Sequence, residues 1–277
     1  MDLQDLIRKN QILKEMVDIA LPTAESDPLH DTSSYVYRLV RSVLRKNIMR
    51  LQAIHVLNNF DKMSDSSLEI VRNMIEDSIS FSYILSSDDP EKLAHTFFEF
   101  RHIQAKQDLD YYSKIPDYQG EDIENKKADI NKEYRRIKKE YPEFFNEDGS
   151  ARHSWSKDGV EGMAKVLVKR KHYSKSDIRN MLRAYKVGSR KVHFNPEDLL
   201  NFYDQKNWDR ASLRSLDIAI KAAAASFTSI VVRYFDAVNY YDTPTNGKDV
   251  IDKLYTNLES IHEEKADKSK QNDKEPI

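Results

Sequence analysis

"RASLRSLDIAIKAAAASFTSIVVRYFDAVNYY", residues 210–241, decides the fold. The stretch holds no glycine and no proline, and alanine is its commonest residue. Leu213, Leu216, Ile220, Ala223, Phe227, Ile230 and Tyr234 follow one another at steps of three and four, the helical period rather than the strand period of two. The apolar positions then spread around most of the circumference, and a helix apolar on most sides belongs inside other helices. Asp209 reads as its opening residue. The expected fold is all-α: a single multi-helix bundle of about eight helices around this long central helix.

Caps and periodicity outline the surrounding helices. "LQDLIRKNQILKEMVDIA" reads as an amphipathic helix stopped by "LPT", and a long helix is expected from about Ser34 to Asn58. Ser66 with Glu69 reads as a capping box. Asp89-Pro90-Glu91 supplies an N-cap, a proline at the first helical position and an acid in the first turn of a helix expected to reach Ile115. Ser174 with Asp177 opens a further helix, Asn195-Pro196-Glu197-Asp198 another, and a last one is expected near 248–263. The very polar run at 117–148 reads as a helical insertion or arm on one domain spanning 1–264. Residues 265–277, charged and nearly without apolar side chains, read as a disordered tail.

Composition removes whole classes of function. Of 277 residues none is cysteine, which excludes disulfides, thiol catalysis and cysteine-held zinc or iron–sulfur centres. Six scattered glycines make no phosphate-cradling loop, and no cofactor is expected. "AAAASFTSIVV" covers about half of the ~20 residues a membrane span needs. With no apolar leader in "MDLQDLIRKN", the expectation is a soluble cytoplasmic protein with no membrane contact. The net charge of −2 argues against a generally basic, nucleic-acid-coated surface, yet residues 165–191 carry ten basic side chains against the single acid Asp177. Through that block an RNA or another phosphate-bearing ligand could be held.

Polar residues on apolar helical faces mark where a site could lie. Arg72 projects between Ile79 and Tyr83, with Glu76 one turn on, while Glu69, Asn73, Asp77 and Ser80 read as solvated. Leu93, Phe97, Phe100, Tyr111 and Ile115 define an arc that also takes in Gln104, Asp108 and, at its edge, Arg101. Arg50 falls among Leu39, Val43, Ile54 and Leu57. Ser189 and His193 share a face with Ile178, Met181 and Tyr185, flanked by Lys186 and Arg190. A buried charge without a partner costs roughly 3–5 kcal/mol, so such groups must pair with one another, with water or with a ligand. Two readings follow. In one, the inner groups form a hydrogen-bonded network that fixes helix register. In the other, Arg72, Glu76 and His193 do chemistry, with Arg101, Asp108, Ser189, Arg190 and Lys191 binding the ligand. Glu99/His102 and Glu259/His262 have the Glu-x-x-His spacing of di-iron bundles. Both pairs read as solvated or terminal, so no metal site is expected.

The order of four elements resembles an uncharacterised bacterial all-helical family, a domain of unknown function. They are "LQAIHVL", the arginine and glutamate of "VRNMIEDSISFSYIL", the tryptophan-serine helix start of "HSWSKDGVEGMA", and the serine four before a histidine in "GSRKVHFNP". The resemblance covers about residues 40–240. It implies Arg72, Glu76, Trp155, Ser189 and His193 as the positions that matter, and brings no established activity. "RLQAIH", with Arg50 and His55, is more distantly similar to the HEPN ribonucleases. Leu51 stands where that family usually has a polar residue, and His55 falls off the face of Arg50. The leading functional expectation is a non-catalytic interaction or sensor protein that meets a protein partner or a second copy of itself. The other is a nucleic-acid-binding or ribonuclease-like effector, of the kind used in bacterial defence.

Overall fold

The computed structural model describes residues 3–25, 33–59, 64–114, 121–192, 205–240 and 247–263. Its helices are α1 (Leu3–Glu25), α2 (Tyr35–Leu57), α3 (Ser64–Leu85), α4 (Pro90–Glu99), α5 (Arg101–Tyr112), α6 (Glu121–Glu140), α7 (Gly159–Lys169), α8 (Lys175–Val192), α9 (Gln205–Tyr240) and α10 (Gly247–His262). A 3₁₀ turn at Pro142–Phe144 follows α6. Among the described residues there is no strand, only an isolated bridge between Phe145 and Ala151. The molecule is an all-α multi-helix bundle.

Contacts divide the chain into two compact units, one of residues 1–29, 41–78 and 175–277, the other of residues 30–40 and 79–174. In the first, α9 forms the core that its composition demands. Ile220, Ala223, Ala224, Phe227, Ile230 and Val231 are all fully buried, and α9 packs against α1, α8 and α10. Leu6, Leu13, Met16 and Ala20 supply the facing stripe of α1. The α9 segment Leu213–Val238 is long and apolar enough, by length and composition, to cross a membrane. Of its most apolar window 56% is buried inside the protein, as in the core helix of a bundle.

In the second unit Phe100, Ile103, Ile137, Phe144 and Phe145 form a separate core, with Tyr134, Tyr141 and Trp155 packed against it. Polar as it is, α6 lays one stripe, Tyr134 and Ile137, into this cluster and packs along α5.

Several helix ends differ from expectation. α1 runs through Pro22, and the carbonyl of Ala24 in its last turn accepts from Arg45 Nη2 at 3.2 Å. That bond satisfies an acceptor which a helix end leaves open. α3 begins at Ser64, so Ser66 lies inside the helix rather than at its cap. α9 begins at Gln205, four residues before Asp209, because nothing between 205 and 209 breaks a helix. Asp89 caps α4 as expected, accepting from Lys92 N at 3.0 Å with Pro90 behind it. The expected single helix from there to Ile115 is divided at Phe100 into α4 and α5. Ile115, the Asn195–Asp198 helix start and the 265–277 tail lie outside the described residues.

Candidate functional site

α8 meets α3 at a glycine. A Cβ on Gly188 would stand 2.6 Å from the Leu68 carbonyl oxygen and 2.9 Å from Arg72 Cβ, closer than any side chain tolerates. The missing side chain lets the two backbones approach, and the residues around Gly188 then reach Arg72 directly.

Arg72 spends every nitrogen within the protein. Its Nε donates to Ser189 Oγ at 3.0 Å, Nη1 to Asn73 Oδ1 at 3.0 Å and Nη2 to Tyr185 OH at 3.3 Å. Its guanidinium carbon also sits over the Tyr185 ring, 5.0 Å from the centroid, a cation–π contact. Glu76 adds a loose ion pair, with its Oε2 3.7 Å from Nη2. Ser189 in turn donates its own proton to the Tyr185 carbonyl at 2.9 Å. The serine is thus an acceptor for Arg72 and a donor to its own helix, and no base stands beside it among the described residues.

Of the residues expected at this site, Arg72, Glu76 and Ser189 do come together. His193 lies outside the described residues, and of Arg190 and Lys191 only the helical backbone belongs to them. Arg101 and Asp108 are exposed on α5, with Arg101 Nε donating to His102 Nε2 at 3.3 Å; Gln104 is exposed too. The expected arc there was set largely by aromatic rings, of which Phe100 is buried in the core while Tyr111 is 65% exposed. With Phe100, the aliphatic Ala94, Ile103 and Leu109 form the buried side.

On that side lies Glu99, four residues before Ile103 and buried, although the sequence reading placed it in solvent. Arg136 of α6 grips it through Nη2 and also bonds Glu133 at 2.8 Å and Glu140 at 2.6 Å. His95 stands between Glu99 Oε1, 3.9 Å from its Nε2, and the Tyr141 hydroxyl, 3.3 Å from its Nδ1. Burial, then the charge of Arg101, hold His102 below the ordinary imidazole range. Burial and the neighbouring Glu99 raise the Tyr141 phenol. The Glu99 carboxylate is occupied by an arginine. Among the described residues no set of three His, Asp or Glu side chains is arranged to hold a metal.

Two further charged centres escaped the sequence reading. Lys9 is buried in α1 between Asp5 Oδ2 at 2.7 Å and Asp217 Oδ1 of α9 at 3.0 Å, and Lys221 completes the set at 2.8 Å from Asp217 Oδ2. Burial pulls the Lys9 ammonium down, but the hydrogen bonds it donates to Asp5 and Asp217 outweigh that and leave it above its ordinary range. Asp77, expected in solvent, accepts from Arg50 Nη1 at 2.6 Å and from the buried Asn47 at 3.1 Å. His55 turns elsewhere, its Nδ1 3.0 Å from the Asn10 carbonyl. The arginine and histidine of "RLQAIH" therefore serve different partners and form no joint site.

Compared with known proteins, residues 37–211, more than half of the chain, match a family model described as a family of unknown function (DUF5677). No curated protein and no solved structure matches the chain.

Proposed function

The chain belongs to the DUF5677 family of unknown function, and from that premise we propose a non-catalytic interaction or sensor protein whose inner polar network keeps its helices in register. The observation that carries this reading is the closure of the Arg72 cluster. All three guanidinium nitrogens and the Ser189 hydroxyl are engaged by protein groups. An incoming anion would have to displace these bonds and would meet Glu76, whose Oε2 stands 3.7 Å from Nη2.

One observation favours a second reading, in which the protein takes a phosphate-bearing polymer such as RNA. Lys175, Arg179, Arg183 and Lys186 are exposed and recur at steps of four and three, forming one basic stripe along α8. His193 would then be the residue placed to move a proton.

The deciding experiment is RNA binding and cleavage by wild type, Ser189→Ala and His193→Ala at two salt concentrations, with melting followed for each. The non-catalytic reading expects no cleavage by any of them and a lower melting temperature for Ser189→Ala. Cleavage by wild type, lost in a His193→Ala protein that still folds and binds, overturns it in favour of a ribonuclease-like effector.

A further inference from the structure

A cleft of about 370 Å³ opens in the second unit, where the end of α3, the first turns of α4 and the loop entering α7 meet. Ligand pockets run from roughly 300 to 1,000 Å³, so this one suits a small molecule. Its apolar wall is Tyr83, Leu93 and Trp155. The Tyr83 and Trp155 rings stand edge to face with centroids 6.1 Å apart, and Phe97 braces the indole from another side at 5.3 Å.

Charges of both signs line this wall without meeting. Lys92 and Lys157 bring ammonium groups, Glu143 and Asp158 bring carboxylates, and none of the four forms an ion pair with a described residue. A third carboxylate, Asp89, is already committed to capping α4. Asp158 holds the equivalent position before α7 but makes no cap bond. Ser87, also in the lining, keeps its hydroxyl oxygen buried with no hydrogen-bond partner among the described residues. A buried hydroxyl in that state is costly and gains from a polar ligand.

Two uncommitted cations and two uncommitted anions beside one apolar wall match neither an anion nor a cation. A phosphate would meet Glu143 and Asp158, and a lone amine would meet both lysines. A ligand carrying both charges and an apolar body satisfies all of them. We propose that this cleft binds a free α-amino acid with an apolar side chain. Its carboxylate goes to Lys92 and Lys157, its ammonium to Glu143 and Asp158, and its side chain lies against Tyr83, Leu93 and Trp155. This assignment goes beyond the non-catalytic reading and does not rest on it, since amino-acid binding and RNA cleavage are read by separate assays.

The test titrates L-leucine and L-phenylalanine into the full chain by calorimetry. The same titrations follow indole fluorescence in a Trp208→Phe protein, where Trp155 is the remaining tryptophan. N-acetyl-L-leucine, which lacks the ammonium, and L-leucinamide, which lacks the carboxylate, serve as controls. The expected result is saturable binding of at least one amino acid with a change in Trp155 emission. Binding should weaken about tenfold or more for both blocked analogues, and for Lys92→Met and Asp158→Asn proteins that melt like wild type. No saturable heat up to roughly 10 mM of either amino acid overturns the proposal. Equal binding of the blocked analogues overturns it as well.

Discussion

Gly188 of α8 lies against the backbone carbonyl of Leu68 in α3, with room there for a hydrogen and nothing larger. The contact sets the distance from which Arg72 can reach both Ser189 and Tyr185. Gly188→Ala should therefore act as overpacking against a backbone atom that cannot rotate aside, at a cost of about 1–3 kcal/mol. Urea denaturation checks this, with a lower midpoint and an unchanged slope expected. A variant as stable as wild type would mean that α8 can shift along α3 freely.

Arg72 and Ser189 should also be coupled. Ser189→Ala removes the acceptor of a charged donor, a loss of about 1–3 kcal/mol. Arg72→Met removes the donor set and the ring contact together. In a double-mutant cycle the two effects should fall short of additivity, because the second change finds its partner already gone. Strict additivity in thermal melts would show that the 3.0 Å bond contributes nothing.

How much of this was legible in the sequence varies by element. The all-α class and the core helix α9 were plain, because breaker-free apolar periodicity over a long stretch has one physical solution. Arg72, Glu76 and Ser189 were legible because each lies at helical spacing from aliphatic residues. Glu99 was missed for the converse reason: Phe97 and Tyr111 were weighed as core residues, but aromatic rings tolerate a surface that Ile103 and Leu109 do not. Lys9 and Asp217 were readable in hindsight. Lys9 falls between Leu6 and Leu13, and Asp217 precedes Ile220, Ala224, Phe227 and Val231 at steps of three and four. What sequence could not give was the partner, since the 3.0 Å contact joins residues 208 positions apart.

Lys9 makes a sharper prediction than its neighbours. Lys9→Met strands Asp217 against the core, where breaking a buried pair costs about 3–5 kcal/mol. Lys221 still reaches Asp217 and Arg8 still reaches Asp5, so the loss should fall at the low end of that range. The double variant Lys9→Met, Asp217→Leu should recover most of it, because the buried pair becomes apolar while Asp5 keeps Arg8 and the part-exposed Lys221 turns to solvent. If the double variant is the less stable of the two in denaturant titrations, the ion pair is a net source of stability.

His102 and His262 should together make the fold acid-sensitive. Partial desolvation is the first cause in both, at a half-buried His102 and an exposed His262, followed by the charge of Arg101 for His102 and of Lys221 for His262, and each imidazole is held below its ordinary value of about 6.5. A depressed histidine is neutral in the native state, while the unfolded chain takes up its proton from about pH 6.5 downward. Stability is therefore fully present above that pH and falls as acid approaches the folded-state values. Melting temperature should decline between about pH 7 and pH 5, before the carboxylates titrate. The decline should flatten in a His102→Gln, His262→Gln protein. A profile equally steep with both glutamines in place would assign the acid sensitivity to other groups.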